Sequence, residues 1–298
     1  MTNRRDFLKQ ASMLVASGVV GSSILSSCGG GGRKSAKKSV TVYDLLLENT
    51  SPNHVFFQND VFWTIKGGFC PVEYLKKYPQ RIKTLHIKDE KAIGASGTID
   101  FKAIFDQAKE NGIKDWYVEV EQYDGTPQED VQASIDFLKA ADYVVPKTNI
   151  GLQLYSLRED VRDLGIQKVL EVVAQMGYVN LETAGYNDGK IYGIAPAEFK
   201  KMVNDLGMKV TSAHVGRSLS DNRDEDMAWW NKAIEAHASA GMKYMVMPWS
   251  PLDGEGATMD NVKRYCDYFN AIGLITAGAS IAFGYHNHAF EFTNTIEV

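Results

Sequence analysis

Residues 83–90 read KTLHIKDE. Leu85 and Ile87 flank His86, and Lys88 and Asp89 follow at once. A short apolar run that stops abruptly in His, Lys and Asp reads as a buried strand whose last residues emerge into a site. Side chains two apart on a strand share a face, so His86 and Lys88 point the same way. The same design recurs along the chain: an apolar strand ending in polar or aromatic residues, then a loop, then an amphipathic helix.

Working outward, strands are predicted at 55–57, 83–87, 116–120, 150–154, 178–181, 209–213, 244–247 and 281–285. Helices are predicted at 42–48, 72–78, 101–111, 128–141, a stretch ending at Met176, 195–206, 224–240 and 260–277. Eight strands and eight helices in strict alternation are the pattern of an α/β protein, a (β/α)8 TIM barrel with its site at the C-terminal ends of the strands. The rival, an open doubly wound sheet, calls for a Gly-rich phosphate loop after one strand, and none is visible. The order begins with a helix and ends with a strand. A closed barrel accommodates this if the first helix packs where the helix after the last strand belongs, so the expectation is a circularly permuted barrel.

Hydrophobic residues make up 44% of the 298 and charged residues 23%, values of a soluble globular protein. The net charge of −5 leaves no basic face to neutralise phosphates, so nucleic acid is not an expected partner. Arg4-Arg5-Asp6-Phe7-Leu8-Lys9 resembles a twin-arginine export motif, and the apolar run 13–25 behind it is too short to span a membrane. Leu25-Ser26-Ser27-Cys28 resembles a lipobox, whose Cys is lipidated. The expected organisation is an export signal over 1–28, a flexible Gly- and Lys-rich tether over 29–40 and a single catalytic domain over 41–298. That describes an exported bacterial lipoprotein, periplasmic or outer-membrane-anchored, touching membrane only through lipid on Cys28. The remaining Cys70 and Cys266 carry no disulfide-framework spacing and read as buried small hydrophobes.

The strand-end motifs carry a resemblance. From Thr148 onward, NIGLQLYSLRED, NLETAGY, VTSAHV and FGYHNHAFEF resemble the N-terminal half of the sugar phosphate isomerase/epimerase family, the xylose-isomerase-like TIM barrels. Residues 41–144, with LLENTSPNHVFFQNDVFWTIKGG, LHIKDE and WYVEVEQYDGT, resemble that family's C-terminal half. The family order would join Val298 to Thr41, in keeping with the permuted order of elements. The resemblance implies a divalent metal, Mn, Zn or Co, held among carboxylates and a His on neighbouring strands. Asp60, His86 and Glu121 match the family's Asp, His and final Glu. The family's remaining Glu falls on Gly284, so His286 or His288 on the same face, or Glu182 from another strand, is the fourth ligand. Glu119 shares the face of Glu121, and two buried carboxylates require that one be protonated or paired, with Lys88 as partner.

A metal on the hydroxyl and carbonyl oxygens of a sugar stabilises an enediolate, and a neighbouring base moves the proton. His288, His286, His214, Lys88 and Glu119 are the candidate acid/base groups. Tyr155, Trp249, Trp63 and Tyr285 are placed to stack on a sugar ring, and Glu291 to bind it, although such aromatics are as often core. An exported protein without a phosphate loop points to an unphosphorylated sugar or keto-sugar. The expected function is a metal-dependent isomerase or epimerase. Two alternatives stand beside it: a 3-keto-glycoside lyase or hydrolase working by β-elimination, and a non-catalytic sugar-binding lipoprotein.

Overall fold

The computed structural model describes residues 38–298; the export motif with Arg4 and Arg5, Cys28 and the tether up to residue 37 lie outside the described residues. Short strands, each buried along nearly its whole length, close a parallel barrel, as expected for strands covered by helices outside and packed side chains within. After a first strand β1 (Ser39–Thr41), the barrel strands in chain order begin with β2 (Val55–Asp60), β3 (Ile82–Ile87), β4 (Asp115–Val118), β5 (Ile150–Gln153) and β6 (Asn180–Thr183). A hairpin of β7 (Tyr186–Asn187) and β8 (Lys190–Ile191) intervenes. The barrel continues with β9 (Lys209–His214), β10 (Tyr244–Met247) and β11 (Ala282–His286), and the chain closes on β12 (Thr295–Glu297). Around the barrel the order is β10, β11, β2, β3, β4, β5, β6, β9.

Local chemistry explains the covering helices. Thr126 and Glu129 form a reciprocal capping box at the head of Pro127–Ala140. Gly177 and Gly241 end their helices in the left-handed conformation that favours glycine. Where one helix ending at Met176 was predicted, Gly165 at φ 81° divides Arg158–Leu164 from Ile166–Met176. A six-residue helix, Val61–Lys66, also begins directly off β2, with Asp60 as its cap.

The first helix, Val42–Asn49, packs against β2 and the segment that follows β11. Its Tyr43 ring meets Phe57 of β2 at 5.5 Å and Phe292, just beyond β11, at 4.5 Å. Arg81 donates to its Leu47 carbonyl. Ser39 and Val40, read as the end of the tether, instead pair with Glu297 and Ile296 in an antiparallel ribbon of β1 and β12. Cys266 is buried and Cys70 is exposed; both are thiols, so the buried reading of Cys70 is corrected. Cys70 stands ahead of helix Pro71–Lys77, where its side chain makes no cap bond. No helix of the described residues is long and apolar enough to cross a membrane.

Register stacks the barrel interior in layers. Gly284 pairs with Phe56, and His286 pairs with Gln58 one layer above. A Cβ on Gly284 would come within 2.5 Å of the Phe56 ring, which fills that lower layer with Tyr244. A carboxylate at position 284 would therefore enter the ring layer, and His286 is the β11 residue at the height of the site. Gly284→Ala should destabilise the barrel by about 1–3 kcal/mol through overpacking, read as a lowered urea midpoint with unchanged slope.

Candidate metal centre

Asp60 ends β2 and does two jobs. Its Oδ1 accepts the Trp63 N–H at 2.8 Å, and its own N–H is fixed by Asn287 Oδ1 at 3.1 Å. Its Oδ2 is fully buried without a hydrogen-bond partner. That oxygen lies 3.9 Å from His86 Nδ1, 3.9 Å from Lys88 Nζ and 4.0 Å from His286 Nε2. Burial pushes the Asp60 carboxyl up to about 7, with Lys88 and His86 pulling against it.

His86, opposite Asp60 in the register, lies between two carboxylates. Its Nε2 is 2.5 Å from Glu182 Oε2 and its Nδ1 is 3.1 Å from Glu119 Oε2. Burial opposes its charge, but Glu119 and Glu182 outweigh that and hold it up at about 10. Glu182 accepts in addition from Gln58 (2.9 Å), Gln153 (2.9 Å) and Ser212 (2.6 Å). Against its burial, His214 and His86 bring its carboxyl down to about 2. Through these bonds Glu182 orients His86, and it is not among the four residues whose ligand atoms converge.

Gln58 extends the same ordering. Its Oε1 accepts from His214 Nε2 at 2.8 Å and from His286 Nδ1 at 3.2 Å, which turns His286 Nε2 toward Asp60. Burial holds His214 and His288 down at about 4 and His286 well below the ordinary histidine range, so all three imidazoles are neutral at pH 7.

Lys88 is 1% exposed and bonds Glu121 at 2.8 Å and Glu119 at 3.0 Å. Burial opposes its charge, yet Glu119, Asp60 and Glu121 hold it well above the usual lysine range. Glu119 is paired, as expected: burial would raise its carboxyl, but Lys88 and His86 hold it well below the carboxylate range.

Asp60, His86, Glu119 and His286 thus bring one ligand atom each to within 4.8 Å of one another. Two carboxylates and two imidazoles so placed could hold a metal ion, and one Asp60 oxygen among them is buried without a hydrogen-bond partner. Glu121, expected as a ligand, instead stands at the cavity wall on Lys88 while Glu119 reaches the cluster. His86, His214 and His286 form a second convergent group that shares two members with the first.

Above the cluster opens a cavity of about 450 Å³, lined by Glu119, Glu121, His214, His286 and His288 together with Tyr155, Tyr186, Trp229 and Trp249. Tyr155 and Trp249, 44% and 47% exposed, face it as expected. The Trp63 ring face is covered by Lys88 Nζ at 4.9 Å, and its ring lies 5.8 Å from that of His288. Two expectations are corrected. Tyr285 is buried against Phe269 in the core, at 5.1 Å. Glu291 is fully buried, accepting from the Tyr285 hydroxyl at 2.5 Å and the His288 N–H at 2.8 Å, and it holds the loop that carries His288. Gln58 escaped notice as a site residue although it shares the face of Asp60 two positions on. Tyr186 and Trp229, in a hairpin and a helix, carry no local signal.

No family model matches the chain. Among curated proteins it is similar to the inosose dehydratase of Clostridium botulinum (strain Eklund 17B / Type B), 34% identical over 103 residues, 26% of this chain and 35% of that protein. It is similar to the inosose dehydratase of Clostridium tetani (strain Massachusetts / E88) at 30% over 103 residues, with the same shares. The chain spans about a third of the length of the curated relatives it matches. Among solved structures, a sugar phosphate isomerase/epimerase from Parabacteroides distasonis ATCC 8503 is 35% identical over 46% of this chain and 50% of that one, with a TM-score of 0.40. A dihydropteroate synthase from Xanthomonas albilineans is 11% identical over 81% of this chain and 91% of that one, also with a TM-score of 0.40.

Burial pushes the Glu291 carboxyl up to about 7 from its ordinary 4.5, partly offset by the Tyr285 and His288 bonds. A raised acid favours the folded state while protonated and loses that advantage as pH climbs through the interval. Relative to Glu291→Gln, the natural protein should lose stability between pH 4.5 and pH 7, by on the order of 3 kcal/mol, and then level off. Paired urea titrations at pH 4.5, 6 and 8 check the slope.

Proposed function

We propose that this chain is a divalent-metal-dependent enzyme that enolises an unphosphorylated sugar or keto-sugar, an isomerase or epimerase. The observation that carries this reading is the convergence of Asp60, His86, Glu119 and His286, with one Asp60 oxygen buried and unpartnered, beneath an open cavity. A divalent ion held by these four residues supplies Lewis acidity toward the carbonyl and neighbouring hydroxyl oxygens of a sugar.

The chain's own groups account for the proton. His288 and His214 face the cavity as neutral imidazoles able to accept it. Glu121 faces the same cavity from the end of β4, and His288 from the end of β11, with β2 and β3 between those strands. A proton can thus be taken on one side of a bound ring and returned on another, as epimerisation needs. Gln58 and Glu182 keep His286 and His86 turned the right way, and Lys88 keeps Glu119 ionised. Glu119 and Glu121 line the cavity and no Lys or Arg does among the described residues, which favours an uncharged ligand over a phosphorylated one. The export motif at Arg4–Arg5 and the lipobox at Cys28 support the same choice, since they suit a lipoprotein working outside the cytoplasm.

A second reading is β-elimination, favoured by the curated relatives' name of inosose dehydratase. It starts from the same enolate and differs in what leaves the next carbon.

Elemental analysis of protein purified without chelator should find near-stoichiometric Mn, Co or Zn, lost in Asp60→Ala and His86→Ala. Metal-loaded protein should wash solvent deuterium into a keto-sugar at the carbon beside the carbonyl, and His288→Gln should slow this by roughly a hundredfold or more. Bound sugar with no exchange and no metal would instead identify a binding protein. Appearance of an unsaturated product would identify the eliminating enzyme.

A further inference from the structure

The cavity rim is divided. Going around the barrel, β11, β2, β3 and β4 are consecutive and carry Asp60, His86, Lys88, Glu119, Glu121, His286 and His288 at or beyond their ends. The other half, β5, β6, β9 and β10 with their following segments, carries His214 at the end of β9 and, beyond it, the cavity aromatics Tyr155, Tyr186, Trp229 and Trp249. A ligand seated on the reactive half leaves the aromatic half uncovered, and the cavity of about 450 Å³ is larger than one pyranose ring fills.

The aromatic side is held in place before any ligand arrives. The hairpin of β7 and β8 turns at Asp188 and Gly189, with φ of 47° and 84°. Lys232 pairs with Asp188 and ties the hairpin to helix Arg223–Ala240. The Tyr192 hydroxyl accepts the Ala184 N–H at 3.0 Å, and the Tyr192 N–H donates to the Gly185 carbonyl at 2.7 Å. Tyr186 meets Trp229 edge to face at 5.4 Å and is backed by the His237 ring at 5.0 Å. A preset wall costs little ordering when something stacks on it. A pyranose offers an apolar C–H face for such rings and a hydroxyl edge for the solvent side, and no charged side chain on the shelf calls for a charged partner.

We propose that the cavity binds a glycoside of two linked sugar rings, one over the Asp60–His86–Glu119–His286 cluster and the other on the Tyr186–Trp229 shelf. This rests on the enolising reading for the ring at the floor and adds the second ring as the specificity determinant.

Isothermal titration of the metal-loaded protein with glucose, methyl glucosides, cellobiose, maltose and lactose tests it, with metal content measured on the same samples. At least one disaccharide should bind about tenfold more tightly than its monosaccharide. Tyr186→Ala should erase that gain, Tyr186→Phe should keep it, and monosaccharide affinity and bound metal should stay unchanged. Trp229→Ala, at a half-buried position of the same shelf, supplies a second reading of the same loss should Tyr186→Ala fail to fold. Disaccharides no tighter than monosaccharides, a gain that survives these variants, or no binding across the panel would each overturn the proposal. Stoichiometric metal without disaccharide preference would overturn the shelf alone. A disaccharide preference in a protein that takes up no metal would overturn the enolising reading and leave the shelf standing.

Discussion

His86 is buried between Glu182 and Glu119, and the mouth of the barrel is organised around that contact. An imidazole without solvent needs partners for both nitrogens, and two carboxylates without solvent need cations or donors of their own. The demand propagates outward. Glu182 is satisfied by Gln58, Gln153 and Ser212, and Glu119 by Lys88. Gln58, drawn in by Glu182, receives His214 and His286 on its oxygen. Among what remains is one Asp60 oxygen with no hydrogen-bond partner, 3.9 Å from both His86 and Lys88. The chemistry proposed for the site starts from that unsatisfied oxygen and the ligand atoms that converge on it.

The barrel supplies the geometry by register. Asp60 pairs with His86, and Gln58, two residues earlier on β2, pairs with His286, so three adjacent strands converge their side chains on one cluster. The Phe56 ring, in the space left by Gly284, forms the apolar layer beneath. Loops and helices on the opposite half supply aromatic surface instead of charge, and the cavity becomes two-sided, with a reactive floor and a stacking wall.

Much of this was legible from strand parity. The alternation of KTLHIKDE puts His86 and Lys88 on one face, and the structure brings both into the cluster. The eight-fold alternation of strand and helix predicts the closed barrel that is observed. Parity has no depth, however. Glu119 and Glu121 share a face, and only the height of β4 against β3 decides which reaches the cluster and which stops at the wall on Lys88. Glu182 and Glu291 each end up saturated by residues distant in sequence or by a buried hydroxyl, which no local pattern announces. Tyr186 and Trp229 meet only because a hairpin and a helix pack together.

By itself the sequence determined the class of fold, the strand ends that converge and the residue types available there, because periodicity is a property of neighbours along the chain. Whether Asp60, Glu119, Glu182 and Glu291 become candidate ligand, charge partner, anchor or clamp was decided by tertiary structure. Those roles depend on which buried oxygen is left unsatisfied once every hydrogen bond across the barrel has been made, and that count exists only when the strands are closed.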